Sequence, residues 1–247
     1  MSTFATELRS WRTRRRVSQL ELALRAGTTQ RHVSFIEGGR SVPGRGMVVR
    51  LAESLDVPLR ERNALLLAAG FAPAYSETPY VELESVREAL GSVLRGHMPY
   101  PAVIVDRHGD LVDANPAFHA IVAEGAPVTN VPRLLLGPLA PRIVNFSEWA
   151  WHVVDRLREN ALQNPDERLS ALVEELTMLA GERPRATTLG FAVPLRLRCG
   201  EHELQLLTTL AHFGTAVDVT VAELRLEAFL PADAETAEQL RSLALSG

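Results

Sequence analysis

Between Ser18 and Gly39 the chain sets helix starts and helix stops so close together that only a bundle of short helices fits. Ser18 is a good N-cap, and "SQLE" has the capping-box form of Ser followed three residues later by Glu, opening a helix that runs through Arg25. Gly27 stops it. Thr29 caps a second helix, Gln30 to Glu37, which Gly38 and Gly39 terminate. Upstream, residues 4 to 16 place Phe4, Leu8 and Trp11 at helical spacing. Downstream, "VPGRG" is a turn, Met47 to Leu55 is amphipathic, "DVP" breaks the pattern, and Leu59 to Ala69 forms a fifth helix. The opening segment therefore reads as an all-α module.

Charge separates this module from the rest. Residues 1 to 70 hold twelve Arg against six Asp plus Glu, a balance of +6, while the whole chain carries −4, which leaves −10 for the remainder. A basic module joined to an acidic one points to a polyanionic partner for the first part only. Cys199 is the one cysteine, so no internal disulfide forms, which suits a reducing compartment. The apolar run at Ala64 to Ala69 falls short of the roughly 18 to 20 residues a membrane span needs, and no secretory leader is visible. The expected location is the cytoplasm, with no membrane partner.

A helix ending at Gly27, a tight turn and a helix capped by Thr29 form the helix-turn-helix pattern, whose second helix enters the major groove. Val33 and Ile36 face inward, so Gln30, Arg31, Ser34 and Phe35 share the outward side. Gln suits adenine, Arg suits guanine, and an apolar group such as Phe35 suits a thymine methyl. His32 contacts the DNA backbone or packs. The bland alternative is a surface helix with one stray aromatic, and the arginine excess argues against it. In the stretches "SQLELALRAGTTQRHVSFIE", "GR" and "RLAESLDV", residues 3 to 57 resemble the Xre-type helix-turn-helix domain. The resemblance implies that Gln19 contacts phosphate or a base, that Thr29 and Arg40 hold phosphates, and that Gln30, Arg31 and Ser34 face the groove. It also implies a partly buried ion pair between Arg12 and Glu37.

"FAPAYSETPY", residues 71 to 80, holds two prolines and no helical period, and reads as a linker, followed by a helix from Val81 to Leu94. The expected domains are 1–72, a linker and connecting helix over 73–97, and a second domain over 98–247. In "PAVIVDRHGDLVDANPAF" the period changes to a strand, a turn, a second strand and a helix start at Asn115 and Pro116. Residues 131 to 180 read as helical, with breaks at "GPLAP" and "QNPDE". From Phe191 the alternation in "FAVPLRLR", "ELQLLTTLAHF" and "AVDVTVAELRLEAF" predicts three antiparallel strands, and a last helix covers Ala234 to Leu245. The expected class is α+β: a five-helix module followed by a second domain built on an antiparallel sheet.

The stretch from "RHVSFIEGGRSVPGRG" to "FAPAY", followed by "YPAVIVDRHGDLVDANPAF", "LAPRIVNFSEWA" and "FGTAVDVTVAELRLEAFLPADAETA", resembles the MmyB-like transcription regulators over nearly the whole chain. That resemblance implies a C-terminal ligand-binding domain of PAS-like fold. Pocket candidates on faces expected to point inward are Phe118, Leu134, Trp149, Val153, Leu206 and Thr208, each of which also fits ordinary core. Arg142 in "LAPRIVN" needs a partner, whether a ligand carboxylate, a helix C-terminus or an acidic side chain. Cys199 and His202 lack the further ligands that zinc needs, and no phosphate loop, nucleophile elbow or HExxH occurs, so no metal, cofactor or catalytic site is expected. The expected function is a homodimeric operator-binding regulator that responds to a small, largely apolar effector, fatty-acid-like or butenolide-like. Two alternatives stay open: a constitutive regulator whose second domain only dimerises, and an enzyme acting in the second domain with DNA binding for autoregulation.

Overall fold

Five helices occupy the first part of the chain: α1 (Phe4–Arg14), α2 (Gln19–Arg25), α3 (Gln30–Glu37), α4 (Arg45–Ser54) and α5 (Leu59–Ala68). Phe4, Leu8 and Trp11 of α1 close on Leu22, Val33, Ile36, Leu51 and Leu66 in a single apolar core, as their helical spacing requires. Local chemistry sets the ends. The Ser18 hydroxyl accepts from the Glu21 amide at 3.1 Å, while the Glu21 carboxylate turns to Arg25 at 2.5 Å. The Thr29 hydroxyl accepts from the His32 amide at 3.2 Å. At the far end of α3, Gly39 takes φ +69°, and the amides of Gly39 and Arg40 donate back to the carbonyls of Ile36 and Phe35. This is a Schellman ending, which the left-handed glycine makes possible.

The computed structural model describes residues 3–184 and 192–245. It falls into two units: the chain through Thr78 together with Thr215–Ala222, and Pro79–Gly214 together with the residues from Glu223 onward. Within the first unit the segment after α5 is tied down. The Asn63 side chain accepts from the amides of Ala74 and Tyr75 and donates to the Tyr75 carbonyl at 2.7 Å. Asp218 accepts from both the amide and the hydroxyl of Thr78, at 3.1 and 2.7 Å.

The second unit is built on a five-stranded antiparallel sheet of β1 (Ala102–Val105), β2 (Leu111–Ala114), β3 (Leu195–Cys199), β4 (His202–His212) and β5 (Arg225–Pro231), ordered β2-β1-β5-β4-β3. One face meets α6 (Glu84–Gly96) through Leu90, Leu94, Ala102, Ile104 and Ala228. The other carries Val103, Val105, Leu206 and Phe229 into the main core with α7 (Val131–Leu136), α8 (Phe146–Gln163) and α9 (Glu167–Ala180). Covering both faces explains why 102–105 is apolar at every position. The chain is thus α+β, as expected.

Three local expectations change. The helix expected from Val81 begins at Glu84, after a single 3-10 turn over Tyr80–Glu82. "FAVPLRLR" becomes a strand only from Leu195, after Pro194, and Phe191 lies outside the described residues. "AVDVTVAELRLEAF" is not one strand. Asp218 accepts from the Thr220 amide at 2.9 Å and starts a short helix, α10 (Val219–Glu223), and β5 begins at Arg225. The alternating valines imitate a strand, but an Asp capping side chain decides otherwise. The last helix, α11 (Ala234–Leu245), runs as expected. Among the described residues no helix is long and apolar enough to cross a membrane.

Candidate functional site

Two sites stand out, one in each unit. On α3, Val33 and Ile36 are buried, while Gln30 and Arg31 are exposed and Ser34 and Phe35 are half-buried on the outward side. Thr29 is exposed at the head of the helix, and His32 is held by the Thr28 hydroxyl at 2.9 Å from its Nδ1. Arg12 donates from Nε and Nη2 to the two carboxylate oxygens of Glu37 at 2.6 and 3.0 Å, and from Nη1 to the Val17 carbonyl at 2.9 Å. The Glu37 side chain is 3 % exposed. The hydrogen bonds that Arg12 donates to Glu37 are the main influence holding its guanidinium above its ordinary range. Gln19 donates its amide to the same carboxylate at 2.8 Å. Its side chain thus ties α2 to α3 at the spot where the sequence places a DNA contact.

Two arginines, Arg31 on α3 and Arg40 just past its end, lie against one aromatic ring. The guanidinium carbon of Arg40 lies 4.5 Å from the centroid of Phe35, and that of Arg31 lies 5.1 Å from it. Gly38 is close to this arrangement as well: a Cβ there would stand 3.1 Å from the Ser34 carbonyl oxygen and 3.4 Å from Arg40 Nε.

In the second unit a cavity of about 200 Å³ lies between the inner face of the sheet and α7 and α8. Strand pairing sets one wall: Thr208 faces Phe229, and Leu210 faces Glu227. Since side chains alternate, Thr208, Leu210, Glu227 and Phe229 all project to one side. The opposite wall is a stripe of α8, with Trp149, His152, Val153 and Arg156, closed by Val131 and Leu135 of α7. The cavity is apolar at the Phe229 end and charged at the other. There Glu227, 6 % exposed, has Arg225 at 3.6 Å and Arg156 at 3.8 Å. Two guanidiniums share one carboxylate. Neither Arg156 Nε nor Arg225 Nε has a hydrogen-bond partner, and the buried Thr208 hydroxyl has none either. Burial, then the charge of Arg156, holds the His152 imidazole below its ordinary range, so it is neutral near pH 7.

Of the residues singled out in sequence, Trp149, Val153 and Thr208 line this cavity. Phe118, Leu134 and Leu206 sit instead in the surrounding core. Arg142 is engaged by protein: it donates to the carbonyls of Ile121, Val122 and Arg198 and pairs with Glu124 at 2.9 Å. It ties the helical turn Phe118–Val122 to β3, which supplies the partners that its apolar surroundings demand. Sequence reasoning passed over His152, Arg156 and Glu227. Glu227 carried a signal, since a charge in strand register with Phe229 falls on the face expected to be apolar. Cys199 and His202 face one another at the β3–β4 turn, and burial pushes the Cys199 thiol up. Among the described residues no His, Cys, Asp and Glu group is arranged to hold a metal.

A second charged cluster ties the β1–β2 turn to the start of α9. Asp166 caps α9 by accepting from the Leu169 amide at 2.9 Å, and it also receives His108 Nε2 at 3.0 Å and Arg107. Burial alone would raise the Asp166 carboxyl, but these donors outweigh it and hold the pKa at about 2.

Residues 86–243 match the family profile described as the MmyB-like transcription regulator ligand binding domain, and residues 3–65 match that of a helix-turn-helix domain. A helix-turn-helix-type transcriptional regulator of Sinorhizobium fredii is 43 % identical over 53 residues, covering 22 % of this chain and 27 % of that protein. The chain therefore spans about a quarter of the length of that relative.

Proposed function

The chain belongs to the MmyB-like transcription regulators, and on that premise we propose that it binds operator DNA in the cytoplasm as a homodimer and that a small amphipathic molecule in the cavity of its second unit alters this binding. The observation that carries the reading is the uneven lining of the cavity. Phe229, Val153 and Trp149 offer an apolar bed, while Thr208 and Arg156 present buried polar atoms without a hydrogen-bond partner, beside the Glu227 carboxylate. Such a site is built to orient a ligand rather than merely to pack. Its volume is below the roughly 300–1,000 Å³ common for drug-sized ligands. That supports a compact effector such as a butenolide-like molecule, or one end of a fatty-acid-like chain.

DNA contact is assigned to Gln30, Arg31 and Ser34 for base edges and to Thr29, His32 and Arg40 for the backbone. The +6 balance of the first seventy residues supports steep salt dependence, because each neutralised phosphate releases counterions. A ligand moves operator affinity only by its preference between two protein states, typically about 1 to 3 kcal/mol. The test is operator affinity with and without fractions of an organic extract from host cells, alongside native mass spectrometry of the purified protein. A fraction that shifts affinity and adds a discrete mass supports the reading. If no fraction changes either affinity or thermal midpoint, the second unit serves dimerisation alone.

A further inference from the structure

We propose that Phe35 is a positioning residue for DNA contact: its ring and its carbonyl hold Arg40, and its ring also holds Arg31, so that two guanidiniums meet DNA as one preset pair. The inference rests on the assignment of α3 as the helix that enters the groove.

Three observations converge on Phe35. The first is the ending of α3. In a Schellman ending the residue two places past the cap donates its amide to a carbonyl in the last turn, and the side chains of those two residues commonly touch through an apolar contact. Here the two residues are Arg40 and Phe35. The Arg40 amide donates to the Phe35 carbonyl at 2.8 Å, and the Ser41 amide donates to the same oxygen at 3.2 Å. The apolar contact is replaced by a guanidinium 4.5 Å from the ring centroid. Backbone and side chain of Arg40 are thus both anchored to one residue of the helix.

The second observation is Arg31, one turn back on α3, whose guanidinium lies 5.1 Å from the same ring. An exposed arginine loses rotamer freedom when it binds, and an aromatic partner that already restrains it reduces that loss. The third is Gly38. Its φ of −86° is open to any residue, so conformation does not call for glycine there. Space does: a methyl group would crowd the Ser34 carbonyl at 3.1 Å and come into contact with Arg40 Nε at 3.4 Å. Gly38 leaves room for the Arg40 side chain to fold back toward Phe35.

This role differs from an apolar contact between Phe35 and a thymine methyl, and the two separate experimentally. A duplex is first enriched from a random library with the wild-type protein. If nothing is enriched, the DNA-binding assignment itself fails, before any variant is made. Affinity for the enriched duplex is then measured for Phe35→Leu, which keeps an apolar side chain, and Phe35→Tyr, which keeps the ring. Phe35→Leu should bind about tenfold more weakly, the sum of two exposed cation–π contacts of ordinary strength, and Phe35→Tyr should stay within about twofold of wild type. Arg40→Ala should cost much less in the Phe35→Leu background than alone. Replacing every thymine by deoxyuridine should leave wild-type affinity within about twofold.

Wild-type binding by Phe35→Leu, full additivity with Arg40→Ala, or a deoxyuridine duplex that reproduces the loss would each overturn the proposal. Thermal midpoints of the variants separate positioning from folding. Should Phe35→Leu not fold, Gly38→Ala takes its place. Its expected loss of affinity should vanish once Arg40 is also Ala, and unchanged affinity overturns the anchoring of Arg40.

Discussion

The Thr208 hydroxyl on β4 is buried opposite Phe229 on β5 and has no hydrogen-bond partner. A buried, unpaired hydroxyl costs the folded protein about 1 kcal/mol or more. Thr208→Val, which keeps the shape and removes the polar atom, should therefore raise stability by about 1 kcal/mol in urea unfolding. The same change should weaken the response to an active extract fraction, and Thr208→Trp, which fills the cavity, should abolish it. A Thr208→Val protein less stable than wild type would show that the hydroxyl is satisfied in solution.

Glu227 lies between Arg225 and Arg156, and the Arg225 and Glu227 side chains are both nearly closed off from solvent. Removing the carboxylate leaves two cations facing each other across the polar end of the cavity. Glu227→Ala should cost about 3 to 5 kcal/mol, because an uncompensated buried charge is far more costly than a missing pair. Replacing Arg225 by Met in the same protein should recover part of the loss. Denaturant unfolding of the single and double variants decides this, and a Glu227→Ala loss under about 1 kcal/mol would mean that water reaches the site.

Arg12 and Glu37 make a two-point contact that joins α1 to α3, and Gln19 adds a third donor from α2. Glu37→Ala should cost about 3 kcal/mol or more, and the double change Arg12→Met with Glu37→Ala should cost less than the sum of the singles. Strict additivity in the unfolding cycle would argue against a coupled contact. Because Gln19 is held by Glu37, Glu37→Ala should also weaken DNA binding by more than its effect on the folded fraction accounts for.

Asp166 gives the second unit a pH dependence of definite sign. Its folded pKa, about 2, is below its ordinary value of 3.8, so its contribution is complete above pH 4 to 5 and is lost as pH falls toward 2. The size is on the order of 1 to 2 kcal/mol once solvent screening is allowed for. Asp166→Asn should flatten the acid limb of the stability curve. An unchanged acid limb, followed by tryptophan fluorescence of Trp149 and Trp151, would place the acid sensitivity elsewhere.

What could be read in sequence follows the range of the interactions involved. Ser18, Thr29 and Gly39 act within a few residues of themselves, so the ends of α2 and α3 follow from their chemistry alone. Val33 and Ile36 face inward for the same reason, since helical spacing is a local property. The charged end of the cavity was out of reach. Arg156 and Glu227 meet only because α8 presents a particular face and β5 takes a particular register, both of which are settled by tertiary packing. The apolar neighbours of Arg142 call for a partner, but the free carbonyls of the helical turn Phe118–Val122 and of β3 that it binds carry no mark in sequence. The short helix α10 was hidden for another reason: its valines alternate like a strand, and Asp218 has a capping role only when the chain turns there.

Asp218 has a consequence for how such a protein could be taken apart. It is separated from Thr78 by 140 positions, yet it caps α10 with one carboxylate oxygen and grips the linker residue with the other. The order of modules along the chain is therefore not the order in which they can be cut. A truncation ending at the linker discards the loop that grips it, and a chimera that joins this DNA-binding module to another sensor strands Thr78 without Asp218. Recombination between relatives would have to exchange the β4–β5 connection together with the linker, so these two distant stretches should pass from one protein to another as a single inherited part.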